Sequence, residues 1–469
     1  MHFFKKLFQR IKSHFKASIN CSKTIVQLQL YDSRTCKLIS LSSCNPVKIY
    51  LCGPTVYDDL HIGNIRNILL LDALTHFLRI NQYQVEYVQN ITDVADKIPL
   101  KASTLQISEK ALTEKFFQNY QDLLKKLEVK TPFFIKISEI MPATIKVIKK
   151  LNSIQAIYTK SDGVYFEVNK FAKNYGVFKK WLPKNLISQR KLTSNQKENP
   201  EDFALWKKTI PGKKWESPWG AGRPGWHTEC VAAITQHFSD GVTIHIGGSD
   251  LKFPHHENER IQFYALYKKE IAQIWMHNGF VNFENQKISK SQKNLRKSFL
   301  AKDFLQDYSA NTIKIWFFLS TYQNDIDFSE TYLDYCRRLE EKIITTFKKV
   351  DLESFINLSN VKTGIINAKD YQKFIKILSK NFDTVNALDF IVLQIKKINQ
   401  LLQLKNWNEA RNQKQTVITE LKLLRIQISN SKINKSTQKI IQKWQGLLKN
   451  KNYVKADILR KELQKLFIL

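Results

Sequence analysis

The sequence predicts an α/β fold: a parallel sheet of the nucleotide-binding kind, split by an insertion and followed by a mainly helical half. Three observations predict it. A strand–helix–strand pattern opens the regular part of the chain. Seven of only 14 glycines lie between Gly212 and Gly248. Beyond Phe299 the pattern is helical, basic and nearly free of glycine.

The opening unit begins with Val47–Cys52 (VKIYLC), an apolar run of strand length that stops at Gly53-Pro54. A helical pattern runs from Ile62 to Arg79, and Tyr83–Val88 reads as the next strand. Together these make a βαβ unit. Residues 131–215 are less regular, with a hairpin expected at Ser161-Asp162-Gly163, and read as an insertion between two halves of the sheet. Strand-and-turn patterns return from Trp215 to Lys297. A glycine-poor chain keeps glycine where backbone geometry requires it. The turns in PWGAGRPGWH and HIGGSD are therefore candidates for a working site.

At 469 residues the chain exceeds one compact core, and about two to four domains are expected. No apolar run reaches the roughly 20 residues that span a bilayer, so no membrane partner is expected. The 74 basic and 42 acidic side chains give a net charge of +32. That surplus suits a polyanion, although a lysine-rich coding bias produces the same count. Six scattered cysteines form no dense framework, which points to a reducing compartment. Residues 1–24 form a basic extension. Phe3, Phe4, Leu7, Phe8, Ile11 and Phe15 share one helical face there, and no acid occurs before Asp32. The expected location is cytoplasmic, with an organellar transit peptide as the alternative.

The segment PTVYDDLHIGN (Pro54–Asn64) sits between strand and helix. A helix N-terminus offers unsatisfied N–H groups and a positive dipole end to phosphate. Gly63 lets an adenine ring lie on the backbone, and His61 and Asn64 can donate to a phosphorus centre as charge develops. About 220 residues later stands KISKS, from Lys287 to Ser291. Lys287 and Lys290 on one loop can hold a triphosphate. Each motif alone is weak. A third constellation combines Cys52, Cys230 in GWHTEC, and His255 with Glu259 in FPHHENE, the last two sharing a helical face. Two Cys, one His and one Glu make a plausible zinc set. No CxxC spacing announces it.

HIGN and KISKS together resemble the HIGH and KMSKS signatures of class I aminoacyl-tRNA synthetases. YLCGPTVYD, SPWGAGRPGWHTEC, GGSDLKFPHHENE and KISKS resemble the cysteinyl-tRNA synthetases of bacterial type, from about Ile25 to Phe467. The resemblance implies a Rossmann-type catalytic domain in two halves (25–130 and 216–297) around a connective insertion (131–215). A stem-contact region (298–345), a helical tRNA-binding bundle (346–430) and a shortened C-terminal anticodon region (431–469) would follow. It implies one zinc per chain on Cys52, Cys230, His255 and Glu259. Mg-ATP would be held by Pro54, Thr55, His61, Gly63, Asn64, His277, Lys287, Ser289 and Lys290. L-cysteine would be held by Gly53, Thr55, Trp226, His227 and Asp250, and tRNA(Cys) would be the acceptor for a monomeric enzyme. His61, Asn64, Lys287 and Lys290 would stabilise the reacting phosphates. Asn64 departs from the family's usual His. YVKADILRKEL (Tyr453–Leu463) resembles the family's terminal helix, but the chain stops at Leu469, so relaxed anticodon reading is expected. A mycothiol-type cysteine ligase and a degenerate RNA-binding relative are the alternatives.

Overall fold

The computed structural model describes residues 27–41, 46–178, 196–208, 211–283, 286–287, 299–357, 364–428 and 435–465. The basic extension, Ser289 and Lys290 lie outside them. The catalytic half contains β1 (Gln29–Asp32), β2 (Lys37–Ser40), β3 (Val47–Leu51), α1 (Ile62–Ile80), β4 (Val85–Ile91), α2 (Lys97–Thr104) and α3 (Glu109–Lys126). Next come β5 (Phe133–Lys136), α4 (Met141–Ser153), β6 (Ile157–Lys160), β7 (Gly163–Phe166), β8 (Phe203–Lys207), β9 (Arg223–Pro224), α5 (Trp226–Phe238) and β10 (Val242–Gly248). Then follow α6 (Glu257–Tyr267), β11 (Ala272–Asn278), β12 (Val281–Phe283) and β13 (Gln286–Lys287). The remainder is α7 (Ala301–Asp307), α8 (Ala310–Phe318), β14 (Ile326–Asp327), α9 (Glu330–Asn357), α10 (Ala368–Leu378), α11 (Thr384–Gln403), α12 (Trp407–Leu423), α13 (Lys435–Lys449) and α14 (Tyr453–Lys465).

The main sheet is parallel, in the order β11-β10-β3-β4-β5. From β3 the chain winds outward through α1 to β4 and β5. It later returns on the other side of β3 with β10 and winds outward to β11. The strand order therefore reverses between β3 and β10, and ligands of open α/β sheets bind beyond the strand C-termini at such a point. One apolar core lies under α1 and α3 and runs on into the helical half. A second joins α4, α5 and α6 on the opposite face.

The differences from the sequence reading have local causes. β4 starts later than Tyr83 because Tyr83 N–H still bonds back to Leu78 O, with Gln82 at φ 70°. β5 belongs to the main sheet, so the departure comes after Lys136 rather than at residue 131. The inserted four-stranded antiparallel sheet β6-β7-β8-β9 reaches Pro224, past residue 215. Its first hairpin pairs Lys160 with Gly163, around Ser161-Asp162 as expected. The stretch read as strands and turns from Trp215 to Lys297 also holds helices α5 and α6. In α6 most positions are buried, and a helix buried nearly all round lacks the polar stripe that reveals its period.

The helical half is bonded to the sheet half at several points. Arg425 Nε, just after α12, donates to Asp72 Oδ2 of α1 at 2.8 Å, and its Nη2 donates to Glu128 O, just after α3, at 2.8 Å. Gln29 of β1 exchanges backbone bonds with Ser379 and Asn381. No described helix is long and apolar enough to cross a membrane.

Candidate active site

A cleft of about 1320 Å³ opens at the strand-order reversal. Cys52, Gly53, Pro54 and Thr55 after β3 line it, with His61, Gly63 and Asn64 from the start of α1. Trp226 and His227 of α5 and Asp250 after β10 line the facing side. Gly53 is required there. A Cβ on it would stand 1.6 Å from Asn90 O, and its N–H donates to Asn90 Oδ1 at 2.8 Å.

At the floor, one donor atom from each of Cys52, Cys230, His255 and Glu259 falls within 4.8 Å of all the others. Three remote segments bring them together: Cys52 after β3, Cys230 in α5, and His255 with Glu259 around the start of α6. β3 and β10 are neighbours, Cys52 follows β3, and α5 and α6 pack against each other beside the sheet. The two sulfurs are 3.8 Å apart, Cys230 Sγ is 3.6 Å from His255 Nε2, and Cys52 Sγ is 3.7 Å from Glu259 Oε1. Zinc–sulfur bonds of about 2.3 Å at tetrahedral angles place two sulfurs about 3.8 Å apart. The donor chemistry and the spacing therefore fit a tetrahedral metal site. The His255–Glu259 pair, at 2.8 Å, is closer than such a site requires and stands as an ion pair here.

Three further histidines support this cluster. His227 Nδ1 lies 2.9 Å from His255 Nδ1, an arrangement that turns His255 Nε2 toward the sulfurs. His245 Nε2 holds the other oxygen of Glu259 at 2.7 Å. His256 Nε2 is 3.4 Å from Cys52 Sγ, and its Nδ1 is 2.7 Å from His277 Nε2. Cys52, His245, His256 and Glu259 consequently form a second, overlapping donor group. We favour the first group, because it holds two sulfurs at the 3.8 Å spacing that one zinc imposes, whereas the second has only Cys52. Trp226, 46% exposed, stacks on His255 with ring centroids 4.0 Å apart and walls the cleft above the cluster.

The His277 expectation is not met. His277 is buried against His256 and Trp275 and does not line the cleft, whereas its neighbour Asn278 does. Successive strand residues face opposite sides of a sheet, and His277 shares its side with Trp275. His245 was missed altogether. Its role depends on β10 lying beside β3, which no local spacing encodes.

Burial opposes charge on Glu259, but His255 and His245 outweigh it and hold the carboxyl well below the usual range. Burial and the neighbouring Cys230 push the Cys52 thiol well up. Burial also opposes the Cys230 thiolate, yet hydrogen bonds from Cys52 and His255 bring it down to about 6. His255 goes up to about 10, since Glu259 and Cys230 overcome its burial. Near pH 7.5 the metal-free site thus keeps protons on Cys52 and His255. Loading zinc is expected to release about two protons, and affinity should fall about a hundredfold per pH unit on acidification. Calorimetry in buffers of different ionisation enthalpy counts these protons, and a count of zero would contradict the assignment.

At the other end of the cleft, α1 starts with no acidic residue in its first turn. Asn64 Oδ1 accepts the His61 N–H at 3.1 Å and caps the helix. That commits its oxygen and leaves its amide N–H₂ as the donor at the cleft. Asn64→Asp preserves the cap but replaces the donor with a charge that repels phosphate. It is expected to slow amino-acid activation more than Asn64→Ala, which should lose about 10–10³-fold, as for one transition-state donor. Steady-state pyrophosphate exchange ranks the two, and the reverse ranking would reduce Asn64 to a cap. Lys287 is described only as the end of β13, so its side chain and the rest of KISKS lie outside the described residues.

The model of the class I (C) tRNA synthetase catalytic domain matches residues 39–338. The cysteine–tRNA ligase of Mycoplasma mycoides subsp. mycoides SC is 38% identical over 444 residues, covering 93% of this chain and 99% of that protein. The cysteine–tRNA ligase of Ureaplasma parvum serovar 3 is 36% identical over 446 residues, covering 94% of this chain and 100% of that protein. Among solved structures, Mycobacterium tuberculosis methionyl-tRNA synthetase in complex with methionyl-adenylate superposes with a TM-score of 0.61. It covers 81% of this chain and 90% of its own at 12% identity, a likeness of fold. Fold and cleft are those of a class I aminoacyl-tRNA synthetase. Within that class, the chain belongs to the cysteine–tRNA ligase family.

Proposed function

We propose that this protein activates L-cysteine with Mg-ATP, releasing pyrophosphate, and transfers the cysteinyl group from the adenylate to the 3′ end of tRNA(Cys). The observation that carries the reading is the placement of two sulfurs, an imidazole and a carboxylate at the floor of a cleft whose far end is a helix N-terminus. One end suits a thiol and the other a polyphosphate.

Cys52, Cys230, His255 and Glu259 would hold one zinc, which supplies a thiophilic acceptor for the substrate sulfur. Trp226 would close the side-chain pocket, and Asp250 and Thr55, which line the cleft, would hold the ammonium group or ribose. The substrate carboxylate attacks the α-phosphorus, and the bond to pyrophosphate breaks. The electron pair leaves with pyrophosphate, with Mg²⁺, Lys287 and Lys290 countering its charge. His61, the Asn64 amide and the positive end of α1 meet the charge that develops on the α-phosphate. A ribose hydroxyl of the terminal adenosine then attacks the mixed anhydride and expels AMP. Rate enhancement comes from positioning and charge, without a side-chain nucleophile. The whole chain's net charge of +32, to which the basic helical half contributes, suits the tRNA body. We assign a monomer as the working unit.

Cysteine-dependent ATP–pyrophosphate exchange, followed by charging of tRNA(Cys), tests the proposal. Exchange with charging supports it. Exchange with transfer only to an aminosugar would instead mark a mycothiol-type ligase, and tRNA binding without exchange would mark a non-catalytic relative.

A further inference from the structure

Arg66 lies on α1, one turn beyond the His61–Asn64 end, and is only 2% exposed. Its guanidinium donates to four backbone carbonyls in two separate turns. Nη1 reaches Gly279 O at 2.8 Å, Phe280 O at 3.4 Å and Asn324 O at 2.7 Å, and Nη2 reaches Thr321 O at 3.0 Å. Its acceptors are main-chain atoms, so what Arg66 fixes is the path of the chain.

That path leads to the phosphate end of the site. Gly279 and Phe280 run directly into β12, which pairs with β13, Asn282 opposite Lys287. On its other edge β12 pairs with β14, Val281 opposite Ile326, just after the second turn that Arg66 holds. The two turns are pressed together: a Cβ on Gly279 would stand 2.2 Å from Asn324 O. After KISKS the chain returns to α1 again. Ile62 N–H donates to Phe299 O at 2.7 Å, and Ala301 N–H donates to Leu60 O at 2.8 Å. Both flanks of the second signature are therefore fastened to the helix that carries the first, one by backbone pairing and the other by Arg66.

We propose that Arg66 is a positioning residue for adenylate formation: it sets the strand leading to Lys287 against the His61–Asn64 end of α1. It touches no substrate and acts through Lys287. Lysine cannot replace it, because one ammonium cannot span carbonyls in two turns as a planar fork does. The inference rests on the activation chemistry proposed above.

The test is cysteine-dependent pyrophosphate exchange with the full-length chain carrying Arg66→Lys. A misplacement of about 1 Å costs about 100-fold, so kcat is expected to drop by about 30–100-fold. KM for cysteine and zinc content should stay at the wild-type values. Because Arg66 acts through Lys287, the double variant Arg66→Lys/Lys287→Ala should be no slower than Lys287→Ala alone, within about twofold. A kcat within about threefold of wild type overturns the proposal, as does a loss that multiplies with Lys287→Ala. A loss that appears in cysteine KM or zinc content also overturns it. Should Arg66→Lys fail to fold, Asp325→Ala carries the same test. Its carboxylate accepts the Phe280 N–H at 2.7 Å on the exposed side of the turn. It should lower kcat about tenfold with KM for cysteine unchanged, and an unchanged kcat overturns the proposal. Absence of exchange in the wild-type protein would instead defeat the proposed function itself.

Discussion

Serine-dependent pyrophosphate exchange is expected to run at least about 10⁴-fold below the cysteine-dependent rate, in kcat/KM. Serine and cysteine have nearly the same shape, and contact differences in an ordinary pocket separate such pairs by about 10–200-fold. The remainder must come from chemistry that distinguishes sulfur from oxygen. The floor of the cleft offers it, since Cys52 and Cys230 set a donor environment suited to a thiophilic ion. Purified wild-type protein assayed with each amino acid over a wide concentration range gives the ratio. A ratio under about a hundredfold would place the discrimination in ordinary contacts and remove the metal from substrate selection.

The second large effect concerns the metal cage. Cys230→Ser keeps nearly the same volume at a site only 1% exposed, so the fold should survive. The thiolate that pairs with His255 is lost, however, and a hydroxyl is a poor zinc ligand. Bound zinc is expected to drop well below one per chain, and kcat/KM for cysteine to drop by about 10³-fold or more. Loss of an outer partner of a metal site typically costs about 10–100-fold, and loss of a ligand should exceed that. Cys336→Ser is the control. Cys336 is also buried, but it lies in α9 within the helical half, away from the cleft. Its replacement should leave zinc content and activation unchanged. Equal losses in both variants would point to general destabilisation.

The residues at the two ends of the cleft were legible in the sequence for different reasons. Pro54–Asn64 could be read locally, because a strand, a turn and a helix start follow one another and place Gly63 and Asn64 at the helix end. The metal set could not be read from spacing. Cys52 and Cys230 are 178 residues apart and meet only because β10 returns beside β3. Motif resemblance supplied that grouping, and the structure supplies its physical cause. The supporting histidines were hidden for the same reason. His245 reaches Glu259 across two elements, and His277 faces away from the nucleotide end by simple strand alternation. Helix α5 was lost among strand patterns because most of its positions are buried, and of α6 only the His255–Glu259 spacing was read as helical. Arg66 looked like one more basic residue in a basic chain, and only its burial against four carbonyls sets it apart.

We propose that the cleft selects its amino acid through sulfur at a metal held by Cys52, Cys230, His255 and Glu259. X-ray absorption at the zinc edge tests it most directly, on the purified protein with and without cysteine. Two sulfur neighbours at about 2.3 Å are expected, from Cys52 and Cys230, with a third when cysteine is added but not when serine is. A sulfur count that does not change with cysteine, or zinc without the two cysteine sulfurs, would contradict it.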